Sequence, residues 1–499
     1  MSKSTENTSS ELVDESNWRC LVNDMIKHLR NETIKLFIKT FRTKSILLRL
    51  YLIFLLISVT SITVYTLVGL MVSYLNYEVL TTSITITETS STFPRVTICN
   101  YINFQTEYAV QFLSEINNEL NPNVNIFQVN QTTNLTYAEV NFLAQSIYDR
   151  AIKKINSNFT NDQKRELEHD VADVLFDCQF GNSPCSINND FVWIYDKTFG
   201  NCYVFNSNQN ESQAKTSNIA GNNFGLNIKV YVNFHENLTL FHSLTSDLGV
   251  ILMVENNTIL FDRSLTDGYL RVQPGLTTSV KIDRTFMFEL EKPYSTCDIP
   301  NGHDSKYFYE ISDLYRLFYY SRYQYTQQSC LLQCLQRTLI QVCNCTDPGY
   351  LSLYTNTNDC LTNNELNCSS KVWENFDWKQ CLNDCPLECN QTIYSLTTSA
   401  VKFIGDKYVY LIRENKNLSA DFVRREINAR TASDSFVELS IFYDTLTYTY
   451  VTESPKLDVI GLMANVGGNL SLFMGISIFS LFELIEIFIE TYLIKRQFK

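Results

Sequence analysis

The chain has 499 residues, of which 45% are apolar and 13% aromatic, enough to bury a large core. Its formal net charge of −13 excludes a nucleic acid as the main partner, because binding to phosphates requires the opposite sign. Basic residues are concentrated in residues 19–49, so the negative excess lies in the middle of the chain.

Residues 1–45 are predicted to be a cytoplasmic segment. Residues 1–18 are rich in Ser, Thr, Asn and Glu, a composition typical of disorder. The basic stretch after them is predicted to form a partly amphipathic helix on the inner leaflet. Residues 46–72 are apolar and exceed the roughly 20 residues that cross about 30 Å of hydrocarbon, which predicts a first transmembrane helix. A cleaved signal peptide is a poorer interpretation, because a long polar segment precedes the run.

Residues 73–456 are predicted to form one mixed α/β domain outside the cell. Helical periodicity is present in residues 138–155 and 162–176. Strand patterns separated by Gly and Pro turns dominate residues 190–292, and a last strand-like run occupies residues 436–453. The sequence contains no internal repeat and no low-complexity linker, which favours a single domain.

A second apolar run, residues 457–490, predicts another transmembrane helix, and residues 491–499 are predicted to be a short cytoplasmic tail. Basic residues precede the first run and follow the second, where they include Lys495 and Arg496. Because Lys and Arg are enriched on the cytoplasmic side of membrane spans, both termini are expected in the cytoplasm.

Small and acidic residues interrupt the second apolar run. Gly475 and Ser477 would let neighbouring helices approach closely, so that carbonyls and a hydroxyl replace part of an ion's hydration shell. Glu483, Glu486 and Glu490 are spaced along one helix face and would form rings of negative charge in an oligomer. Alone, a Gly-x-Ser motif is more typical of helix packing, and acidic residues near a helix end are more typical of a solvated face. Their combination favours a pore.

Fourteen of the 15 cysteines lie between the two apolar runs, and Cys20 lies outside. An even number in this region is typical of disulfides in an oxidising compartment. Asn-x-Ser/Thr sequons in the same region also indicate an extracellular domain. The ten candidate glycosylation sites are Asn130, Asn134, Asn158, Asn210, Asn237, Asn256, Asn344, Asn367, Asn390 and Asn417.

Ten of these cysteines lie within residues 297–389. A spacing of four, as between Cys330 and Cys334, places sulfurs on one face of a helix, so two such segments could be joined rung by rung. Spacing alone leaves the pairing open. Zinc binding is disfavoured, because no Cys-x2-Cys pair or nearby histidine completes a tetrahedral ligand set. No metal site and no cofactor are predicted.

Eight blocks of sequence, in order and with their cysteines in register, resemble the degenerin/epithelial sodium channel/acid-sensing ion channel superfamily. The blocks are FPRVTICN (93–100), FDCQFGNSPC (176–185), FGNCYVFNS (199–207), VQPGLTTSV (272–280), PYSTC (293–297), QSCLLQCLQRTLIQVCNC (328–345), CPLECNQTIYS (385–395) and GLMANVGGNLSLFMGISIFSLFELIE (461–486). The resemblance covers nearly the whole chain after residue 45.

This resemblance implies a trimer in which each subunit has two transmembrane helices that flank a large, disulfide-rich α/β ectodomain. Such an ectodomain has a β-sheet palm, helical fingers and a cysteine-rich thumb, here at about residues 297–395. The family's disulfide order implies the pairs Cys99–Cys202, Cys178–Cys185, Cys297–Cys389, Cys330–Cys385, Cys334–Cys381, Cys343–Cys368 and Cys345–Cys360.

The resemblance also implies roles for residues of the second span. Gly475, Ile476 and Ser477 match the family's selectivity filter. Ala464 matches a position that must stay small for the pore to close. The gate region that surrounds it comprises Asn465, Gly467 and Gly468.

Tyr74, at the exit of the first span, and Tyr294, in PYSTC, match an aromatic contact that couples the ectodomain to the pore. For Tyr74, an interfacial tyrosine of the kind enriched at membrane surfaces is an equal alternative. Most family members carry a His-Gly pair before the first span, where this chain has Lys35 and Leu36. The cytoplasmic pore mouth or the gating is therefore expected to differ.

The combined evidence predicts a sodium-preferring, amiloride-sensitive cation channel in the plasma membrane, gated by an extracellular ligand such as a neuropeptide. Sodium is the permeant ion, and the partners are identical or related subunits. With five histidines in the chain, proton gating is disfavoured, although a proton-gated or constitutively open channel remains an alternative. A non-conducting, cysteine-rich receptor is the alternative from another class. An enzyme is rejected, because the ectodomain lacks a nucleophile elbow and a metal motif.

Overall fold

A computed structural model of the chain describes residues 39–40, 43–101, 103–122, 126, 136–207, 214–232, 248–256, 268–297, 312–321, 325–403, 407, 410, 435–475, 477, 482, 485–486 and 489. The predictions for the cytoplasmic segment before residue 39, which include Lys35 and Leu36, lie outside the described residues. Within them, one unit comprises residues up to Thr81 and from Glu453 onward, and the other comprises Thr82–Thr452.

The described helices differ greatly in length. They are α1 (Ile46–Leu75), α2 (Glu107–Leu120), α3 (Tyr137–Asn158), α4 (Asn161–Arg165), α5 (Val171–Val174), α6 (Ile187–Asp190), α7 (Asp313–Tyr320), α8 (Gln327–Cys343), α9 (Asn363–Glu374) and α10 (Val459–Met474). The 30 residues of α1 are long and apolar enough to cross a membrane, whereas α10 is shorter and also apolar. These two helices pack against each other.

The described strands belong mainly to the larger unit. They are β1 (Val79–Thr87), β2 (Ser91–Thr92), β3 (Arg95–Asn100), β4 (Leu175–Phe180), β5 (Ser183–Pro184), β6 (Phe191–Asp196), β7 (Gly200–Phe205), β8 (Thr216–Ser217), β9 (Leu226–Tyr231), β10 (Val250–Glu255), β11 (Tyr269–Val272), β12 (Leu276–Phe288), β13 (Asn390–Lys402) and β14 (Phe436–Pro455). The sequence-predicted helix over 162–176 is interrupted: it consists of the short helices α4 and α5, which residues 166–170 separate, and its last two residues belong to β4, which begins at Leu175.

Two sheets form the centre of the larger unit. One has the order β13-β12-β14-β9-β4-β5, with β1 also paired to β14, and the other has the order β11-β10-β3-β7-β6. β12 and β14 run parallel, whereas the pairs β12–β13, β14–β9, β9–β4 and β4–β5 and all neighbouring strands of the second sheet are antiparallel. Buried side chains of both sheets, among them Ile98, Leu252, Ile282 and Leu439, belong to one hydrophobic core. Alternate residues of each strand supply this core, as the pleat requires.

The helices α2 and α3 have a core of their own, in which Phe112, Ile116, Ile147 and Ile155 are buried. Thr136 begins α3 with a capping box, because its hydroxyl accepts a hydrogen bond from the amide of Glu139 while the Glu139 carboxylate accepts one from the Thr136 amide. We call α2 and α3 the finger helices.

Seven disulfides join the described cysteines, and they are the pairs that the resemblance implies. Five of them lie within residues 297–389, a region that we call the thumb. Cys330 and Cys334, one turn apart on α8, bind to Cys385 and Cys381, so the two bridges are rungs of an antiparallel ladder. These cross-links add to the stability that the thumb gains from an apolar cluster that includes Leu314 and Phe318.

The carboxyl group of Glu168 is buried near the finger helices and the five-stranded sheet that contains β6 and β7. Glu168 accepts a hydrogen bond from the amide of Asn201 at 2.7 Å. It takes part in none of the ion pairs formed by described residues. A Cβ atom at Gly200, where φ is +74°, would lie 2.3 Å from Glu168 Oε1. Glycine is therefore needed at this position to make room for the carboxyl group.

Burial raises the pKa of the Glu168 carboxyl well above its ordinary value, and the hydrogen bond from Asn201 opposes this shift only in part. Tyr148, Tyr195 and Tyr203 surround it from α3, β6 and β7, and burial raises the pKa of each of these tyrosines as well. The folded protein therefore favours the neutral form of Glu168 more than the unfolded chain does, in which the carboxyl has an ordinary pKa of about 4.3. The stability contribution of Glu168 is complete in acid and is lost as the pH rises towards the elevated folded pKa.

Replacing Glu168 with Gln tests this account. The amide oxygen of Gln can still accept the Asn201 hydrogen bond and carries no charge at any pH. We expect Glu168→Gln to raise the midpoint of thermal unfolding of the purified protein at neutral pH, by about 2 °C or more. The gain should disappear in buffer below the ordinary glutamate pKa. Glu166→Gln, at an exposed neighbouring position, is the control; an equal gain for both variants would contradict the account.

Candidate ion pathway and extracellular cleft

Helix α10 begins at a well-formed N-cap. The Asp458 carboxylate accepts a hydrogen bond from the amide of Gly461 at 2.7 Å. One turn later, Asn465 Nδ2 donates to the Gly461 carbonyl at 2.8 Å. A Cβ atom at Gly461 would lie 2.7 Å from Asp458 Oδ1, so glycine allows the cap to close.

The middle of α10 exposes small residues. Ala464 is exposed, and Cβ atoms built at Gly467 or Gly468 would meet no atom within 4 Å. These residues form a stretch of helix surface with little side-chain bulk, which is the surface that lets helices pack closely in a membrane.

Helix α10 ends at Gly475, and the structure thus departs from the predicted uninterrupted helix over residues 457–490. Gly475 has φ 60°, a left-handed conformation that glycine adopts without steric cost, and its amide donates to the Ser471 carbonyl at 3.0 Å. The sequence-predicted filter therefore coincides with a helix terminus. Ser477 is exposed two residues later, and Ile476 lies outside the described residues.

The acidic residues of the second span are described only in part. Glu486 is exposed and has helical backbone, as do Phe482, Ile485 and Ile489. Glu483 and Glu490 lie outside the described residues, so the predicted alignment of the three glutamates on one face stays a prediction.

The two tyrosines of the predicted coupling contact belong to different units. Tyr74 is half-buried in the last turn of α1. Tyr294 is half-buried in a turn in which its amide donates to the Glu291 carbonyl at 3.1 Å. The structure describes each position separately, and their coupling stays a prediction.

An ion pair that the sequence analysis missed connects the regions next to the two membrane helices. Glu78 accepts hydrogen bonds from Lys456 Nζ at 2.6 Å and from Ser73 Oγ at 2.9 Å. These contacts, the one from Lys456 being the stronger, lower the pKa of the Glu78 carboxyl. Tyr77, the residue before Glu78, has a left-handed backbone conformation with φ 51°. No sequence signal pointed to the pair, because its members are 378 positions apart.

Five of the predicted glycosylation sites lie in described segments. Asn158, Asn344, Asn367 and Asn390 are exposed, and Asn256 is half-buried. The remaining sequons lie outside the described residues and are those of Asn130, Asn134, Asn210, Asn237 and Asn417.

A cleft of about 430 Å³ separates the finger helix α3 from the thumb. Its lining combines aromatic rings with charges of both signs. The lining residues are Tyr148, Asp149, Ile152, Lys153, Lys197, Thr198, Asp347, Gly349, Tyr350, Ser370, Trp373 and Glu374. This cleft was not predicted, because its walls come from three distant parts of the chain.

The floor of the cleft is organised by a buried carboxylate. Asp347, 2% exposed, accepts hydrogen bonds from Ser369 Oγ at 3.0 Å and from the Gly349 amide at 2.9 Å. Lys153 Nζ lies 3.7 Å from the same carboxylate. Across the cleft, burial raises the pKa of the Asp149 carboxyl.

The thumb wall of the cleft is aromatic. The ring centres of Tyr350 and Trp373 lie 5.0 Å apart, and the ring of Trp378 packs edge-on against Trp373 at 5.7 Å. Lys197 Nζ donates to the Tyr350 carbonyl at 2.8 Å and so ties the β6–β7 turn to this wall. An aromatic surface beside carboxylates can bind a ligand that is apolar in one part and cationic in another.

Metal binding receives no support from the described part of the chain, where no group of three or more His, Cys, Asp or Glu is arranged to hold an ion. All 14 described cysteines are engaged in disulfides.

Comparison with known proteins identifies the family. The model of the family described as amiloride-sensitive sodium channel matches residues 29–487. The chain is 26% identical over 378 residues, 72% of its length, to the epithelial sodium channel subunit beta-2 of Xenopus laevis, and this match covers 54% of that protein. It is 26% identical to the degenerin-like protein unc-105 of Caenorhabditis elegans, over 67% of the chain and 36% of the relative.

A third relative is the degenerin mec-10 of C. elegans, with 27% identity over 66% of the chain and 42% of that protein. The chain thus spans about half the length of these relatives, or less. The family is one of ion channels and not of enzymes. The matched residues include the apolar helices α1 and α10 and all seven disulfides, and the chain therefore belongs to the amiloride-sensitive sodium channel family, which includes the epithelial sodium channels and the degenerins.

Proposed function

We propose that this chain is a subunit of a trimeric, sodium-preferring cation channel in the plasma membrane. The observation that carries the proposal is the end of α10 at Gly475, directly before Ser477, in a chain of the sodium channel family. In this proposal α1 and the segment around α10 both cross the membrane, and both termini are cytoplasmic.

The helix end supports a pore for a physical reason. The last carbonyl groups of an α-helix have no partner within the helix. In hydrocarbon each unsatisfied group costs several kcal/mol, so irregular backbone is tolerated at membrane depth only inside protein or beside water. A water-filled axis satisfies this condition, and carbonyls with the Ser477 hydroxyl can then replace part of a sodium ion's hydration shell.

The small residues of α10 support a trimeric assembly. Exposed Ala464, Gly467 and Gly468 allow helices of neighbouring subunits to approach closely. The partner subunits are identical or related chains, and relatives named as the beta and gamma subunits of the epithelial sodium channel favour the related kind. Three copies of Glu483, Glu486 and Glu490 would place acidic rings at the cytoplasmic side, where they attract cations and repel anions.

We further propose that an extracellular ligand opens this channel and that amiloride blocks it. The cleft between α3 and the thumb supports ligand gating, because it combines an aromatic wall with Asp149 and Glu374 in an outward-facing domain. A short peptide such as a neuropeptide has the required mixture of apolar and cationic groups. The residues at Tyr74 and Tyr294 are proposed to couple the ectodomain to the pore.

Neutralising the acidic rings tests the ion pathway. We expect Glu483→Gln and Glu486→Gln to lower single-channel sodium conductance roughly twofold or more, because the local cation concentration falls. The measurement is patch-clamp recording with sodium and potassium solutions. Glu107→Gln, an exposed charge of the finger helix α2, is the control. Wild-type conductance in both pore variants would contradict the assignment of the rings.

Enlarging Ala464 tests the gate. A phenylalanine there is expected to prevent close approach of the helices and to raise the open probability about fivefold or more. Met463→Phe is the matched control, since the next position on a helix points about 100° away. Unchanged resting current in Ala464→Phe, or the same rise in both variants, would refute the gate position.

Removing one aromatic ring tests the cleft. With a panel of short peptides and pH steps as stimuli, Trp373→Ala should raise the half-maximal peptide concentration about tenfold, the loss of a typical binding hot spot. Trp378→Ala removes a ring that packs on Trp373 but does not line the cleft, and it should change this concentration less. Current evoked by acid alone would favour the proton-gated alternative, and no current with any related subunit would favour a non-conducting receptor.

A further inference from the structure

A buried arginine lies where the strands leading to the two membrane helices come together. Arg284 of β12 has a side chain only 7% exposed, and its guanidinium forms an ion pair with Glu88. The same nitrogen donates to Ser91 Oγ at 3.2 Å, and Ser91 in turn donates to the Glu88 carboxylate. Glu88 lies in the connection between β1 and β2, and Ser91 is the first residue of β2.

Three aromatic rings enclose the guanidinium. Its carbon lies 5.0 Å from the ring centre of Phe286, 5.2 Å from that of Tyr448 and 5.8 Å from that of Tyr443. Such distances are favourable for cation–π attraction, which is stronger when the cation is desolvated. We call Glu88, Ser91, Arg284, Tyr443 and Tyr448 the Arg284 cluster.

The cluster lies on an irregularity of β14. Ile282 pairs with Tyr443, and the next paired residue, Arg284, faces Tyr448. β12 thus advances by two residues while β14 advances by five, and a bulge forms between the paired positions of β14. The bulge is held by the β1–β2 connection, because the Glu88 amide donates to the Leu446 carbonyl at 2.8 Å.

A second contact fixes the same arrangement. The Tyr443 hydroxyl donates to the Thr92 carbonyl at 2.7 Å. The cluster therefore joins three chain segments through one buried charge.

Removing one member of a buried ion pair leaves an uncompensated charge and is strongly destabilising, whereas removing both charges is far milder. Since Arg284 Nε has no hydrogen-bond partner, the guanidinium depends on Glu88 and Ser91 for its compensation.

The position of the cluster in the chain gives this geometry a consequence for gating. β1 begins at Val79, directly after α1 ends at Leu75, and β14 ends at Pro455, before α10 begins at Val459. The two strands that the cluster joins are thus those that continue into the two membrane helices.

We propose that Arg284 is a positioning residue for gating, which holds the β1–β2 connection on the β14 bulge and thereby restrains the strands that lead to the pore. This inference rests on the proposed channel function. Breaking the cluster frees both strands, so the resting channel opens more readily and the response to a stimulus weakens. Both effects raise the basal current as a fraction of the maximal current.

The test uses Glu88→Gln, Arg284→Met and the double variant in the full chain. Each single variant should raise the basal fraction of the current about fivefold or more. The basal fraction of the double variant should be no higher than that of either single variant, because the double variant buries no unpaired charge. The double variant keeps the test informative if Arg284→Met alone folds poorly.

The chain provides a matched control in another sheet. Arg95 and Glu255 form a 2.9 Å ion pair between β3 and β10, with side chains 9% and 16% exposed. Glu255→Gln should destabilise the ectodomain in a similar way yet leave the basal fraction unchanged. An equal change in Glu255→Gln and Glu88→Gln, or none in either, would overturn the gating role.

Hydrogen exchange of the purified full chain separates this inference from the channel proposal. In Glu88→Gln, amides of the β1–β2 connection and of the β14 bulge should exchange faster than in the wild type, while those of β3 and β10 should not. If the wild type conducts no ions, the proposed function fails, and the exchange result still decides whether the cluster holds these segments. Unchanged exchange in Glu88→Gln would overturn the cluster itself.

Discussion

Hydrocarbon cannot satisfy the hydrogen-bonding groups of an interrupted backbone, and this constraint gives the second apolar segment its meaning. A continuous helix would serve as an anchor, but α10 ends at Gly475 in a left-handed conformation. If α10 lies in the membrane as proposed, a break at this point requires protein, water or an ion beside it. A break that lines a water-filled axis agrees with three other features: the family membership, the small residues before the break and the glutamates after it.

The disulfide-rich domain, residues 82–452, has several features that the proposed gating would use. Its two sheets share one core, so the long strands β12, β13 and β14 form a firm centre. The thumb combines disulfides with an apolar cluster. Between the thumb and the finger helices lies a cleft with mixed chemistry, and the buried Arg284 guanidinium connects β12 with the β1–β2 connection and with the β14 bulge. We propose that the cleft, the shared core and the Arg284 cluster together let a local change in this domain reach the strands that continue into α1 and α10.

The sequence predicted local features well. The apolar length of residues 46–72 predicted α1, alternation predicted the strands β9, β10, β12 and β14, and the Thr136–Glu139 capping box agrees with the helix expected after it. The disulfide pairs followed from the resemblance, because cysteine spacing by itself leaves the connectivity open.

Features that depend on contacts between distant residues were missed. Arg284 and Glu88 are 196 positions apart, and a polar pair at such a distance leaves no periodic signal. The walls of the cleft come from α3, the β6–β7 turn and the thumb, each unremarkable alone. The helix end at Gly475 was missed for another reason: in an apolar run a glycine is equally compatible with close helix packing, and hydropathy does not distinguish the two.

The most direct test of the pore asks whether water reaches Ser477. In a Cys20→Ser background, Ser477→Cys is treated with a charged, water-soluble thiol reagent during recording of sodium current. Ile57→Cys, on the exposed apolar surface of α1 (59% exposed), provides the lipid-facing comparison. The account predicts that Ser477→Cys reacts rapidly, that the current falls and that amiloride slows the reaction. A Ser477→Cys thiol that reacts no faster than the thiol of Ile57→Cys, with the current unchanged, would contradict it.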